Sequence, residues 1–400
     1  MAARRIGIAG CGVAGLATAL LLSRAGERVE LFERFDRPQP VGSGLMIQPT
    51  GMAVLARLGL AERIRQEGAR VDRLYGTAGR RVVLDVFYAA MAEPDHHGVG
   101  IHRACLFDAL HDAVAAQDIP IHGGLTIMGS RIERDKRVLL FGDGRTSDGF
   151  DLIVDGLGSR STLAPPTGQE LPYGALWASL DWPEDCGLDA HCLTQRYRRS
   201  SKMAGVLPLG RGGGDRDKAA LFWSLKRIDL AAWQEAGLDA WKDEVRQLWP
   251  ECDPFLAKIE HRGQMTYARY AHRTVAEPTA ERLIHIGDSW HSASPQLGQR
   301  ANMALLDAWA LSAALARYPD IVEALDAAVV SRRRHVRLYQ WLTWAFTPIY
   351  QSDSRLLPIV RDWLMGPMSK LWPIDRFQAL LVSGLFGKPL GPLGLEGRCR

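Results

Sequence analysis

The chain has 400 residues, a size at which two packed units are more usual than one core. Charged residues make up 24% and hydrophobic residues 47% of it, as in globular proteins, and the formal net charge is only +4. The densest basic run, Arg332-Arg333-Arg334-His335, lies in a helical pattern and is interpreted as a solvated face. Composition and charge therefore argue against a nucleic-acid-binding protein.

The six cysteines include neither a CxxC pair nor a histidine at metal-ligand spacing. We therefore expect reduced, structural thiols in a cytoplasmic protein, and no metal site. Residues 1–22 start with basic residues and continue as an apolar run, as a signal peptide does, but their glycines predict a nucleotide loop instead. No other stretch is long and apolar enough to span a membrane.

The first elements predict a parallel sheet. Arg5 to Ala9 is a strand, Ala14 to Ala25 is a helix that ends at Gly26, and Val29 to Phe32 is the next strand. A β-α-β unit of this kind places its strands side by side and parallel.

The turn after the first strand, residues 10–15, fits the pattern G-x-G-x-x-G. Its first glycine permits the tight turn, the second lets backbone N–H groups approach a pyrophosphate, and the third lets the helix pack on the strand. The helix N-terminus then faces the phosphate charge, and an acid after the second strand can bind a ribose hydroxyl. The loop alone does not separate FAD from NAD. We expect the following residues to bind the dinucleotide: Gly10, Gly12, Val13, Ala14, Gly15, Glu33 and Arg34.

Two helices and a hairpin are predicted next. Met52 to Gln66 is helical, Val71 to Phe87 alternates as a hairpin does, and Arg103 to Ala116 is helical again. Arg103 at the start of that helix is placed to reach back to a bound nucleotide. Asp151 to Val154 is a further buried strand.

The chain then changes to alternating runs, which predict an antiparallel sheet inserted in the nucleotide-binding domain. A helix from Asp229 to Trp249 interrupts these runs, and the chain returns to the first domain at Leu283. The four alternating runs are Ala175 to Trp182, Met203 to Leu209, Ala219 to Leu225 and Gln264 to Tyr270.

A second small polar loop, GDSWHSASPQLGQRAN (residues 287–302), lies between an apolar run and a helical pattern. With the earlier pieces it resembles the class A flavin-dependent monooxygenases, the aromatic hydroxylase family with the p-hydroxybenzoate hydroxylase fold. The resemblance extends from Arg5 to about Leu315. The residues that carry it are Gly287, Asp288, His291, Pro295, Gly298, Gln299 and Asn302, then Arg103 with Leu106 and Leu110, then Val41-Gly42-Ser43-Gly44.

The resemblance implies an α/β fold, with a Rossmann-type FAD-binding domain, an inserted antiparallel-sheet substrate domain and C-terminal helices. The expected FAD-binding domain comprises residues 1–70, 98–164 and 279–325. The substrate domain comprises 71–97 and 165–278, and a C-terminal helical region comprises 326–400.

The resemblance also implies a flavin site. Asp288 would accept hydrogen bonds from ribityl hydroxyls, and the helix start at residues 298–302 would direct N–H groups at the flavin. Such a helix N-terminus stabilises the negative charge of a reduced flavin and raises its potential. His291 is expected only to hold the loop. The added cofactor-binding residues are Gly44, Arg103, Asp288, Gly298, Ala301 and Asn302.

Two positions depart from the family pattern. In the stretch from Asp151 to Ser161, Leu157 stands where the family has an aspartate associated with both FAD and NADPH binding, which puts the use of a nicotinamide in question. Arg300 stands where the family has a glycine. It is placed either near the pyrimidine ring of the flavin or in solvent.

The implied reaction hydroxylates an aromatic or other electron-rich small molecule. FAD, reduced transiently by NAD(P)H, would react with O₂ and transfer one oxygen atom through a C4a-hydroperoxide. Three alternatives remain: an FAD oxidase or dehydrogenase without oxygen insertion, which Leu157 favours; a flavin-binding regulator; and a halogenase, disfavoured because its W-x-W-x-I-P signature is absent.

The substrate is expected between the inserted sheet and the flavin, and the sequence assigns no catalytic residue. His191 or Tyr267 could serve a phenol as base or hydrogen-bond partner. The residues considered for this wall are Trp177, Tyr197, Trp223, Tyr267 and Tyr270.

The tail from Leu356 to Leu395 mixes apolar and charged residues. We expect it to pack on the flavin domain or on a second subunit of a homodimer, with a peripheral membrane contact as the alternative. A monomer is equally compatible with the sequence.

Overall fold

A computed structural model describes residues 3–37, 43–91, 96–366 and 371–396. The strands are, in chain order, β1 (Arg5–Ala9), β2 (Arg28–Phe32), β3 (Gly44–Ile47), β4 (Ala69–Val71), β5 (Arg73–Ala78), β6 (Arg81–Phe87), β7 (Gly98–His102), β8 (Ile121–His122), β9 (Ile127–Glu133), β10 (Lys136–Phe141), β11 (Leu152–Asp155), β12 (Gln169–Glu170), β13 (Tyr173–Asp181), β14 (Cys192–Arg198), β15 (Lys202–Gly210), β16 (Lys218–Lys226), β17 (Met265–Ala268), β18 (Ala271–His272), β19 (Thr279–Ala280) and β20 (Leu283–His285). The α-helices of the described part are α1 (Val13–Arg24), α2 (Pro49–Arg57), α3 (Ala61–Glu67), α4 (Arg103–Ala115), α5 (Leu230–Ala236), α6 (Leu238–Leu248), α7 (Asp253–Ala257), α8 (Asp288–His291), α9 (Arg300–Arg317), α10 (Ile321–Tyr350), α11 (Leu357–Val360) and α12 (Ile374–Val382).

A six-stranded sheet in the order β19-β20-β11-β1-β2-β8 forms the first unit. All neighbouring pairs are parallel except β19 with β20, which confirms the predicted parallel sheet. Helices α1 and α9 pack together in one apolar core with this sheet. Its strands carry apolar side chains on both faces because helices and loops cover both.

A seven-stranded sheet in the order β17-β13-β16-β15-β14-β5-β6 forms the second unit. The hairpin β5–β6 joins the inserted strands, and the pairing is antiparallel except between β14 and β5. This is the inserted sheet that the alternating runs predicted.

The two faces of this sheet carry different neighbours. Leu176 opposes Trp223 across β13 and β16, and both side chains pack against α5–α7. One residue along, Trp177 opposes Phe222, and alternation turns these two side chains to the other face.

The small sheet β3-β7-β4 connects the two units. Gly44 in β3 lies so close to the large sheet that a Cβ there would approach Leu209 to 2.7 Å and Ala220 to 2.8 Å. Gly44 therefore has a packing role at this junction. The preceding Val41 and Gly42 of the expected loop lie outside the described residues.

Two secondary-structure predictions are corrected, and one strand was not predicted. The helices expected over Met52–Gln66 and Asp229–Trp249 are each two helices, which break at Gly59 and Gly237, both with positive φ. Strand β14 has too little apolar alternation to have been predicted.

The basic run at 332–335 is not a solvated face. Arg332 and His335 are buried, as are Val336 and Tyr339 on the same stripe of α10. Their spacing of i, i+3, i+4 and i+7 is visible in the sequence and is typical of the buried face of a helix, whereas the run of charges indicated a solvated face.

The end of the described chain packs on the first unit, as expected for the tail. Leu381, Leu393 and Leu395 belong to the core that contains α1 and α9. Trp309 of α9 donates its Nε1 hydrogen to the Leu393 carbonyl at 2.7 Å. Among the described residues, no helix combines the length and the apolar character needed to cross a membrane.

Candidate active site

The glycine loop between β1 and α1 is tightly packed at Gly10 and Gly15 and open at Gly12. Gly10 has a φ of +96°, and a Cβ on Gly15 would lie 1.9 Å from the Gly10 carbonyl oxygen, so neither position accepts a side chain. A Cβ on Gly12, in contrast, would meet no atom within 4 Å. Gly12 directly precedes α1, whose start has no side-chain cap, so the first N–H groups of α1 are directed at this open space.

Glu33, directly after β2, closes one side of this loop. Its carboxylate accepts the Cys11 N–H and the Arg34 N–H, each at 2.9 Å. The Arg34 side chain is exposed and stacks on Phe35, with its guanidinium 4.5 Å from the ring centre. The carboxylate is thus fixed at the carboxyl end of β2, beside the glycine loop.

The second loop begins at Gly287, where α1 and α9 meet. Gly287 has a φ of +58°, and its Cβ would lie 3.3 Å from Ala14 and 3.1 Å from Ala304. The start of the second loop therefore lies against Ala14 of the glycine loop, although the two residues are far apart in the sequence. The structure brings together the two halves that the resemblance implies.

A buried charge network, which the sequence analysis did not predict, holds this second loop. Asp307 of α9 accepts hydrogen bonds from the Gly287 N–H at 2.9 Å, from Nε2 of His291 at 2.6 Å and from Nε of Arg332 at 2.8 Å. The charges of His291 and Arg332 outweigh burial and lower the pKa of Asp307 to about 2. We call Asp307, His291, Arg332 and His335 the loop anchor.

The loop anchor continues to the C-terminal region. Nη1 of Arg332 lies 3.0 Å from Nδ1 of His335, and Nε2 of His335 lies 3.1 Å from the Gly384 carbonyl. Burial and the charge of Arg332 lower the pKa of His335 to about 3. Since arginine only donates, the neutral imidazole accepts at Nδ1 and donates from Nε2.

Asp288 and Arg300 form a bidentate ion pair. Nε of Arg300 donates to Oδ1 of Asp288 at 3.1 Å, and Nη2 donates to Oδ2. Burial alone would raise the pKa of Asp288, but the Arg300 guanidinium holds it below its ordinary value. Arg300 therefore does not simply face solvent, and its position near the pyrimidine ring of a flavin stays a prediction.

Arg103 is a second cation in the same place. Burial lowers its pKa and the nearby Arg300 lowers it further, yet the side chain retains accessible surface. Asp288 also acts on this pKa, so Arg103 lies near the Asp288–Arg300 pair. We call the space beside Arg103, Asp288 and Arg300, where these three side chains keep accessible surface, the cleft.

Asn302 contributes through its backbone, since its side chain is fully buried. Oδ1 accepts the Gln48 N–H at 2.8 Å, and Nδ2 donates to the carbonyls of Met46 at 3.2 Å and Gly298 at 3.0 Å. This fixes the start of α9, at Arg300, Ala301 and Asn302, where no side chain caps the helix. Gly298 has a φ of +62°, which turns the chain into that helix start.

The second departure, Leu157, lies at the edge of the glycine loop and packs against an apolar cluster that includes Ala9 and Phe32. Asp155 does not substitute for the missing carboxylate. It is fully buried, and Oδ2 interacts with Ser161 and Nδ1 of His285, both at 2.6 Å.

Two of the substrate candidates lie together: Trp177 is on the inner face of the large sheet, and Tyr270 is in the segment between β17 and β18. Trp177 donates its Nε1 hydrogen to the Tyr270 hydroxyl at 2.9 Å and packs on Phe222. Arg300 and Arg103 both act on the pKa of Tyr270, although burial dominates and raises it to about 12. Tyr270 therefore connects the sheet to the Asp288–Arg300 pair.

The other candidates lie elsewhere. Trp223 and Tyr267 face α5–α7 on the outer side of the sheet, where Tyr267 lines a cavity of about 400 Å³ remote from the two loops. Tyr197 is buried beside Tyr350, and His191 is exposed at a turn, with Nδ1 at 3.2 Å from the Arg70 carbonyl. Alternation within a strand is readable from the sequence, but the face that meets the cofactor is not.

The site fits FAD. The open cradle at Gly12 and the uncapped start of α1 suit a pyrophosphate, and Glu33 suits a ribose hydroxyl. Asp288 and the uncapped start of α9 suit the ribityl chain and the flavin ring. Within the described residues, no cluster of His, Cys, Asp or Glu could hold a metal ion.

Known proteins are similar in sequence to this chain over most of its length. The FAD binding domain family matches residues 4–104. Aurachin C monooxygenase/isomerase of Stigmatella aurantiaca is 26% identical and covers 96% of this chain and 98% of its own. The 3-hydroxybenzoate 6-hydroxylase 1 of Aquipseudomonas alcaligenes is also 26% identical and covers 95% and 97%.

Solved structures show the same fold. HpxO of Klebsiella pneumoniae, complexed with FAD and uric acid, superposes with a TM-score of 0.81 at 17% identity and covers 97% of this chain and 98% of its own. PqsL of Pseudomonas aeruginosa, in complex with 2-aminobenzoylacetate, gives a TM-score of 0.77 at 20% identity and covers 90% and 100%.

The fold and the two loops define an FAD-dependent oxidoreductase. More closely, the relatives that it matches are FAD-dependent monooxygenases of the class A aromatic hydroxylase type, in agreement with the resemblance.

Proposed function

We propose that this enzyme inserts one oxygen atom from O₂ into an aromatic or other electron-rich small molecule at the expense of NAD(P)H. The balanced reaction converts substrate, O₂, NAD(P)H and a proton into hydroxylated substrate, NAD(P)⁺ and water. Bound FAD supplies the redox chemistry of this reaction class, and the protein supplies binding, orientation and exclusion of water.

One observation carries the proposal. Trp177, on the inner face of the large sheet, is hydrogen-bonded to Tyr270, which lies within electrostatic reach of Arg103 and Arg300 at the flavin loop. A substrate bound against the sheet would thus lie between an aromatic wall and the start of α9. Aromatic walls bind planar substrates through ring stacking and burial of apolar surface.

Tyr270 is suited to orient such a substrate. Its hydroxyl oxygen accepts the Trp177 N–H, so its own hydrogen can be donated to a carbonyl or phenolate oxygen. Because burial raises its pKa to about 12, Tyr270 stays protonated near neutral pH. Tyr270 therefore acts as a hydrogen-bond donor and does not act as a base.

An oxidase or dehydrogenase without oxygen insertion is the second candidate, and Leu157 favours it. The apolar environment of Leu157 and the full engagement of Asp155 leave this stretch without a carboxylate for a nicotinamide. Isotopic labelling separates the two functions, since only the monooxygenase incorporates oxygen from O₂ into product.

The test is a screen of phenols, quinolones and polyketides for stimulated NAD(P)H oxidation under ¹⁸O₂. A product heavier by one ¹⁸O atom supports the monooxygenase. Oxidised product without ¹⁸O supports the oxidase or dehydrogenase. A protein purified without flavin that takes up no added FAD would contradict both.

A further inference from the structure

Arg300 engages the residue on which flavin binding is expected to depend. Its guanidinium contacts both carboxylate oxygens of Asp288. The pair is largely enclosed, but 30% of the Arg300 side chain and 25% of the Asp288 side chain remain accessible. An enclosed pair with this remaining exposure faces the cleft, where a ligand can reach it.

Resting on the proposed role of Asp288 in holding the ribityl chain, we infer that Arg300 competes with FAD for Asp288. FAD uptake exchanges charge-assisted hydrogen bonds from the guanidinium for hydrogen bonds from ribityl hydroxyls. Arg300 is thus a positioning residue that sets the affinity of this enzyme for its cofactor, and the glycine of other family members leaves the carboxylate free.

The surroundings of Arg300 make the exchange costly. Arg300 is the first residue of α9, where the helix dipole disfavours a cation, and α9 has no acidic residue in its first turn. Arg103 adds a second positive charge nearby. Asp288 is the carboxylate that Arg300 contacts among the described residues, so releasing it leaves two guanidinium groups close together.

The test is FAD titration of the full-length protein, freed of flavin, with quenching of FAD fluorescence as the readout. We expect Arg300→Gln and Arg300→Gly to bind FAD about tenfold more tightly than the native chain, the order expected when a bidentate charge-assisted contact no longer competes. The FAD affinity of Arg300→Lys should lie between that of the native chain and that of these two variants. Arg246→Gln, which removes an exposed arginine paired with Asp243 and Asp253, is the matched control and should leave the affinity unchanged.

Salt provides a second readout. Because the pair is partly accessible, added NaCl should weaken it, so the ratio of native to Arg300→Gln dissociation constants should fall towards one. Weaker or equal FAD binding by Arg300→Gln and Arg300→Gly would overturn the inference, since a direct contact between Arg300 and FAD predicts weaker binding.

A double-mutant cycle separates this inference from the role of Asp288. If both hold, Asp288→Ala weakens FAD binding in each background, and by a larger factor in Arg300→Gln, where the carboxylate was free. If Asp288→Ala has no effect in either background, the expected role of Asp288 is wrong. If it has equal effects in both, Asp288 binds FAD but Arg300 does not compete with it. Thermal melting of each variant without FAD shows whether it is folded.

Discussion

Asp307→Ala tests the loop anchor most directly. The substitution removes the acceptor of three hydrogen bonds and leaves the Arg332 guanidinium without its carboxylate, at a position where Arg332 is 1% exposed. Removing one partner of a buried ion pair lowers the free energy of unfolding by about 3–5 kcal/mol, because the remaining charge stays buried without a partner. That is a large share of the roughly 5–15 kcal/mol by which proteins are usually stable. Asp307→Asn should cost less, because its amide oxygen still accepts either the bond made at Oδ1 or the two made at Oδ2.

The assay is urea unfolding followed by tryptophan fluorescence, with FAD retention measured on the same preparations. Asp243→Ala is the matched control, since its exposed pair with Arg246 is open to solvent and should leave the unfolding midpoint unchanged. Asp307→Ala should also retain less FAD, because it frees Gly287 and His291. An Asp307→Ala protein that unfolds at the same urea concentration as Asp243→Ala would refute the reasoning.

Three further predictions concern pH, substrate and reductant. Since His335 has a pKa of about 3 in the fold and about 6.5 when unfolded, the unfolded state binds a proton that the fold excludes, so the free energy of unfolding should fall by about 2 kcal/mol from pH 7 to pH 5. His335→Gln should lack this decrease, and urea unfolding curves at both pH values that show equal decreases for the native chain and His335→Gln would contradict the prediction. Asp307 does not interfere, because its contribution to stability is lost only below about pH 4. Tyr270→Phe should raise KM about tenfold in steady-state assays by removing a hydrogen-bond donor and the acceptor of Trp177, while Tyr267→Phe on the outer face should not change it. Leu157→Asp should speed NAD(P)H-dependent flavin reduction in stopped flow relative to Leu157→Asn, and equal rates would show that the missing carboxylate is not limiting.

The two loops could be predicted from the sequence because their constraints are local. Gly10 and Gly15 are required by a turn and by a close approach of backbone, and Gly287 by a positive φ. These backbone requirements appear in the sequence as glycines at a fixed spacing, which can be recognised without knowing the fold.

Features that depend on long-range packing could not be predicted in this way. Trp177 and Trp223 are indistinguishable as aromatic residues in alternating strands, yet only Trp177 faces the cleft, since that choice depends on how the sheet docks on the first unit. The partner of Arg300 depends likewise on side-chain geometry between a loop and a helix start. Arg332 is different, because its helical spacing from Val336 and Tyr339 did indicate burial.

The loop anchor also bears on when the cofactor can be acquired. The loop that begins at Gly287 is held by α9, by α10 and, through His335 and Gln299, by the carbonyls of Gly384 and Val382. We therefore expect the flavin end of the site to gain these supports only after residues 382–384 have been synthesised, whereas the glycine loop lies within the first forty residues. The part of the site for the adenosine diphosphate end of FAD would then be available for binding before the part for the flavin.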